Sequence, residues 1–231
     1  MYQIISFYKF SNIVDIESLR SLLYEFCTDN NIKGTIIIAN EGINCSLSGK
    51  QESIKAFCRF LKNYSFLDNI SIKVSFSNVA PFQKTKVKIK KEIIKFGVDT
   101  INMSKVGTYL NAKEWDELIT KNDTIIIDNR NYYEYAIGTF RNAINPGIHH
   151  FSELAKWLQY SLKENDKKKN IAMFCTGGIR CEKSTAFLKY QGFDHVYQLR
   201  NGIIQYIEDN KNNKCSMWQG ECFVFDDRIK Y

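Results

Sequence analysis

No apolar run in this sequence approaches the roughly 18 to 20 residues a helix needs to cross a bilayer, and the first ten residues carry neither a basic lead nor a small-residue cleavage site. These absences point to a cytoplasmic protein with no membrane partner. The seven cysteines are odd in number and lack framework spacing, which argues against a secreted disulfide scaffold and leaves at least one thiol free. There is no Gly-Lys-Ser/Thr phosphate loop, no dinucleotide fingerprint, no iron triad and no haem ligation motif, so no cofactor is evident. Cys215 and Cys222 lack zinc-ligand spacing and have no nearby histidine, and no metal site is expected. Internal repeats and low-complexity segments are missing as well.

What is present is an ordinary globular composition, 44% hydrophobic and 14% aromatic, in a chain of 231 residues long enough for two modest domains. The net charge of +7 fits an anionic partner, although a lysine-rich solvated surface has the same signature.

The first third alternates elements as strand, helix, strand, strand, helix, strand. Gln3 to Phe10 is apolar and β-rich, and Asp15 is placed to cap a helix running to Asn31 with Ile16, Leu19, Leu22, Leu23 and Phe26 on one face. Thr35 to Ala39 and Ile43 to Leu47 form a hairpin around Asn40-Glu41-Gly42. A helix from Gln51 to Asn63 and a strand from Ile70 to Phe76 complete a split βαβ, ferredoxin-like order.

Lys84, Lys86, Lys88 and Lys90 then alternate with Val87 and Ile89, so a strand here is apolar on one face and electropositive on the other. Such a row is either a phosphate-binding strip or an edge strand kept soluble by charge.

From Val106 onward strands alternate with helices, the pattern of a parallel sheet covered on both faces. Expected strands are Thr124 to Asp128, Asn142 to Ile144, Asn170 to Phe174 and His195 to Leu199. Expected helices are Ala112 to Thr120, Tyr132 to Ala136, Phe151 to Glu164 and Cys181 to Gln191, the last ended by Gly192. The reading divides the chain into residues 1–98, 99–210 and an aromatic tail, 211–231, that docks on the domains.

Asn170 to Phe174 delivers Cys175 to the carboxyl end of a strand, where open α/β sheets form their ligand crevices. In Cys175-Thr176-Gly177-Gly178-Ile179-Arg180 the glycines let the backbone curl so that amide hydrogens turn inward, and the following helix adds its partial positive charge. A cysteine held there should be largely thiolate at neutral pH, the nucleophilic form. Arg180 is placed to pin the loop or to bind an anionic group.

Cys-x-x-x-x-Arg after a buried strand resembles the rhodanese active-site loop, which carries a cysteine persulfide; related phosphatase loops have one more intervening residue. Asp128-Asn129-Arg130, Tyr133-Glu134 and the run from Gly138 through Pro146 resemble further rhodanese features. Asn40 through Asn44, Val106 through Leu110, Cys175 through Ser184 and Trp218 through Asp226 together resemble the tRNA uridine(34) hydroxylases. That resemblance implies an α/β chain with a ferredoxin-like (acylphosphatase-like) α+β domain followed by a rhodanese-type parallel-sheet domain. It also implies oxygen-dependent hydroxylation of wobble uridine to 5-hydroxyuridine, with molecular oxygen and an unidentified electron donor as co-reactants. By match to the motif, Cys175 takes the active-site cysteine position. The implied partner is the tRNA anticodon loop, with no DNA expected.

Two other functions stay open, a persulfide-forming sulfurtransferase of the rhodanese type and a noncatalytic tRNA-binding module. Cys181 reads as a small side chain packed in the first helical turn, with resolution of an oxidised Cys175 as the alternative. Asp128 and Arg130 read as an ion pair fixing the loop. Cys27, Cys45 and Cys58 are core candidates, and His149 and His150 a surface pair without an assigned role.

Overall fold

The computed structural model describes residues 1–99, 101–211 and 216–223, and these divide into two compact units, Met1–Lys95 and the chain from Phe96 onward. Cys215 and the end of the aromatic tail, 224–231, lie outside the described residues.

The first unit runs β1 (Tyr2–Phe10), α1 (Ile16–Asp29), β2 (Lys33–Ala39), β3 (Gly42–Gly49), α2 (Gln51–Leu61), β4 (Lys73–Ser77) and β5 (Thr85–Ile89). Asp15 caps α1, its carboxylate accepting from the Ser18 amide at 3.0 Å. The β2–β3 hairpin turns at Asn40-Glu41, with Ala39 opposite Gly42. The strands order as β4-β1-β3-β2-β5, antiparallel except for β5, which lies parallel to β2 at the sheet edge. One face packs against α1 and α2 through Leu19, Leu23, Ile54 and Phe57, each contributing roughly 1.5–3 kcal/mol by leaving water. Cys27 and Cys45 are buried in this core and Cys58 is half-buried. Burial raises all three thiols, Cys27 to about 12, so none is a nucleophile at neutral pH.

β4 begins three residues later than its apolar run suggests, after Asn69 takes a left-handed φ of 58° that breaks extended geometry. Lys86 and Lys88 on β5, with Lys84 and Lys90 flanking it, are exposed, while Val87 is buried.

The second unit runs β6 (Thr108–Leu110), α3 (Ala112–Ile119), β7 (Thr124–Asp128), α4 (Tyr132–Tyr135), β8 (Gly138–Phe140), α5 (Leu154–Ser161), β9 (Asn170–Phe174), α6 (Ile179–Tyr190), β10 (Val196–Leu199), α7 (Gly202–Asp209) and β11 (Trp218–Gly220). Its main sheet is all parallel, in the order β6-β10-β9-β7. Trp115 of α3, Phe140, Phe174 and Tyr206 form an aromatic core with ring centroids 4.7–5.9 Å apart in tilted and edge-to-face pairs.

Three expectations need correction here. The strand read at Asn142 to Ile144 is reduced to a single bridge between Ile127 and Ile144, because Asn142 has a left-handed φ of 64° and Pro146 offers no ladder donor. The helix read from Phe151 to Glu164 is split into a 3-10 turn at Phe151–Glu153, α5, and a second 3-10 segment at Glu164–Lys168. The helix read from Cys181 starts two residues earlier, at Ile179.

The described part of the tail docks through β11, which pairs antiparallel with β8 and sets Trp218 against Phe140 at 5.2 Å.

Candidate active site

β9 and β7 are neighbours in register, Phe174 opposite Asp128, so their carboxyl ends bring Cys175 and Asn129 side by side. The Asn129 amide donates to the Phe174 carbonyl at 2.9 Å, which locks the two strand ends together. Cys175 is fully buried. Gly178 takes a φ of 99°, a conformation that side chains disfavour, and this turns its amide back onto Cys175 Sγ at 3.1 Å. The Cys181 amide donates at 3.0 Å to the carbonyl of the same Gly178, so the first turn of the following helix closes over that sulfur.

Burial by itself raises the Cys175 thiol. The proximity of Cys181, the Arg180 charge and the nearby backbone N–H groups outweigh it and hold Cys175 well below the ordinary thiol range. Cys181 moves the other way, raised by burial and by the nearby Cys175. The two thiols are thus shifted in opposite directions, Cys175 toward the thiolate and Cys181 toward the protonated form. Asn129 Nδ2 donates both to Cys181 Sγ at 3.3 Å and to Ser184 Oγ at 2.8 Å.

Arg180 pins the loop. Its Nη1 donates to Glu134 Oε2 at 2.6 Å, and its Nη2 donates to Glu134 Oε1 at 2.7 Å and to Thr176 Oγ1 at 3.1 Å. Thr176 itself donates to Glu134 Oε1 at 3.1 Å. Burial raises the Glu134 carboxyl, but the Arg180 charge and hydrogen bonds and the Asn131 amide bring it below its ordinary value. Both partners are buried, so the fork-to-fork geometry is what offsets their desolvation.

Asp128 and Arg130 form a second buried pair at 2.6 Å, and Arg130 reaches on to the carbonyls of Glu134 and Gly138. Its guanidinium lies 5.1 Å over the Trp218 ring, so this pair ties the end of β7 to β8 and the tail. Burial pushes the Asp128 carboxyl up against the pull of Arg130.

The Asn129 contacts and α7 were missed in the sequence. The legible signal for α7 was Ile203, Tyr206 and Ile207 at helical spacing after Asn201-Gly202. Its first amides grip the loop from behind, Ile203 N–H donating to the Cys175 carbonyl at 3.0 Å and Ile204 N–H to that of Thr176 at 3.3 Å. Gly202 has a φ of 70°, and a Cβ there would stand 2.5 Å from the Cys175 carbonyl oxygen. Gly202→Ala is expected to cost about 1–3 kcal/mol from backbone conformation alone and to displace the loop. Chemical denaturation should read the loss, together with an altered rate of Cys175 alkylation; a wild-type value in both would contradict this account.

The loop residues Cys175 through Arg180, with Cys181, thus form one cluster with Asn129 and Glu134. Lys84, Lys86, Lys88 and Lys90 belong to the first unit. His149 and His150 are exposed, and the His149 amide donates to Glu153 at 2.9 Å. Cys222 is buried, and its thiol is pushed up to about 12, so it is no competing nucleophile.

Residues 2–93 match the UPF0176 acylphosphatase like domain, and residues 111–209 match the Rhodanese-like domain. Among solved structures, a rhodanese-related protein from Thermoplasma volcanium is 25% identical over 44% of this chain and 92% of its own, with a TM-score of 0.35. A rhodanese-like domain protein from Staphylococcus aureus is 23% identical over 43% of this chain and 90% of its own, with a TM-score of 0.36. A rhodanese-like domain from Anabaena is 18% identical over 50% of this chain and 80% of its own, with a TM-score of 0.40. The chain joins a UPF0176 acylphosphatase-like domain to a rhodanese-like domain whose strand–loop–helix junction holds the buried Cys175.

Proposed function

We propose that this protein hydroxylates the wobble uridine of tRNA at C5, with Cys175 as the catalytic nucleophile. The observation that carries the reading is a buried cysteine whose sulfur accepts the Gly178 amide and is shifted toward the thiolate, in a chain whose motifs from Asn40 to Asp226 resemble the tRNA uridine(34) hydroxylases. A uracil in the anticodon loop is unpaired and can be splayed into a protein pocket. The Cys175 thiolate adds to uracil C6, which places the negative charge on C5 and O4. C5 then takes one oxygen atom from molecular oxygen; the other leaves as water with two electrons and two protons from an external donor. Loss of the C5 proton and expulsion of Cys175 restore the aromatic base and the thiolate. The test is nucleoside mass spectrometry on tRNA from a strain that lacks this protein, with and without the complementing chain. 5-Hydroxyuridine restored by the chain supports the reading; a level unchanged by deletion, with other hydroxylation routes removed, overturns it.

Lys84, Lys86, Lys88 and Lys90 are the proposed tRNA phosphate contacts. The edge position of β5 explains exposed lysines equally well without RNA, because charge keeps an edge strand from pairing with another chain. K86E/K88E/K90E separates the two: contact lysines give weaker tRNA binding and a slope of log affinity against log salt reduced by about 2–3. Edge protection alone leaves affinity and slope near wild type.

The second reading is persulfide transfer, supported by the match of residues 111–209 to the Rhodanese-like domain. Thiosulfate-dependent persulfide on Cys175, passed to a thiol acceptor without tRNA, would favour it over hydroxylation.

A further inference from the structure

Cys181 forms no bond in the proposed hydroxylation, yet it is placed as a partner for Cys175. It sits in the first turn of α6, fully buried, its amide bonded to the carbonyl of the same Gly178 whose amide donates to Cys175 Sγ. From the other side Asn129 Nδ2 donates to Cys181 Sγ, which orients the sulfur and favours its deprotonated form. A packing cysteine needs no such donor. Of the other described cysteines, Cys27, Cys45 and Cys58 belong to the first unit.

We propose that Cys181 is the resolving thiol of Cys175: a hydroperoxide oxidises Cys175 to the sulfenic acid, and Cys181 condenses with it to a Cys175–Cys181 disulfide. In the first step the Cys175 thiolate attacks a peroxide oxygen, the O–O bond breaks, and the leaving alkoxide or hydroxide takes up a proton. The sulfur is oxidised by two electrons and the peroxide is reduced. In the second step Cys181 attacks the Cys175 sulfur, the S–S bond forms, and the S–O bond breaks. The departing hydroxide takes the Cys181 proton and leaves as water. In sum, two thiols and one hydroperoxide give one disulfide, one alcohol or water, and one water.

The geometry favours this order. While Cys175 is a thiolate, its charge keeps the proton on Cys181. Conversion to a neutral sulfenic acid removes that charge and leaves Arg180 and the Asn129 donor, both of which favour a Cys181 thiolate. Because both sulfurs are buried, a sulfenic acid formed on Cys175 meets Cys181 before a thiol from solution, and the disulfide protects Cys175 from irreversible over-oxidation. The inference does not depend on the tRNA reaction, since it needs only the two cysteines and a peroxide.

The test treats the reduced full-length chain with one equivalent of hydrogen peroxide, blocks free thiols, and maps the non-reduced tryptic peptides. Cleavage after Arg180 separates the two cysteines, so their disulfide appears as the 170–180 peptide joined to the 181–183 peptide. The expected result is this joined pair, lighter than the sum of its parts by two hydrogens and dispersed by dithiothreitol. In Cys181→Ser, Cys175 should instead carry added oxygen after the same treatment, with the fold checked by circular dichroism. Cys175 oxygenated in the wild type while Cys181 is recovered as a blocked free thiol would overturn the proposal, as would an unmodified Cys175 or a link from Cys175 to any other cysteine.

Discussion

With Cys175→Ala in place of the wild type, 5-hydroxyuridine in tRNA is expected to fall at least about a thousandfold, to the level of the deletion strain. Among the described cysteines only Cys175 is shifted toward the thiolate; Cys27, Cys45, Cys58, Cys181 and Cys222 are all shifted toward the protonated thiol. None of the other described cysteines is thus poised as a nucleophile while Cys175 is present. The fold should lose some stability with the change, because the contacts that lower the Cys175 pKa outweigh its desolvation, but alanine fits the space and the fold is expected to persist. Thermal unfolding within a few degrees of wild type, beside lost modification, would place the defect in chemistry. Wild-type levels of 5-hydroxyuridine from the alanine variant would remove Cys175 from the mechanism.

Glu134→Ala is expected to destabilise the protein by about 3–5 kcal/mol, because it leaves the Arg180 guanidinium buried without its counter-ion. That is a large part of the roughly 5–15 kcal/mol that holds a domain folded. Glu134→Gln keeps the shape and one acceptor oxygen and should lose less. Urea denaturation measures both. The loop should loosen before the whole unit unfolds, since Thr176 loses the same anchor, so Cys175 alkylation in native buffer should change as well. A Glu134→Ala protein within 1 kcal/mol of wild type would mean that the pair contributes little to the fold.

Much of the site was legible because its parts are local in the chain. A β-rich run, two glycines, an arginine and a helical pattern within about twenty residues specify a strand–loop–helix turn, and Cys175 is the residue such a turn presents. Asp128, Arg130 and Glu134 were visible as a spaced set. That Glu134 rather than Asp128 holds Arg180 was not, because it depends on how β7 and β9 come into register. The Asn142 to Ile144 strand failed because its apolar pattern competes with a left-handed Asn142 and with Pro146. The short strands β6, β8 and β11 have three residues each, too few for a period-2 pattern to register, and their pairing comes from distant partners.

The sequence by itself determined the ferredoxin-like and parallel-sheet halves, the alternation along β5 and the place of Cys175 at a strand–loop–helix turn, since periodicity and turn chemistry act over a few residues. Tertiary structure alone decided which groups meet Cys175. Asn129, Glu134, and the amides of Ile203 and Ile204 come from segments up to 52 residues away from their partners in the loop and the first turn of α6. Sheet register and burial bring them together, and burial is also what makes each of those hydrogen bonds count, because an unpaired charge or amide there has no water to turn to.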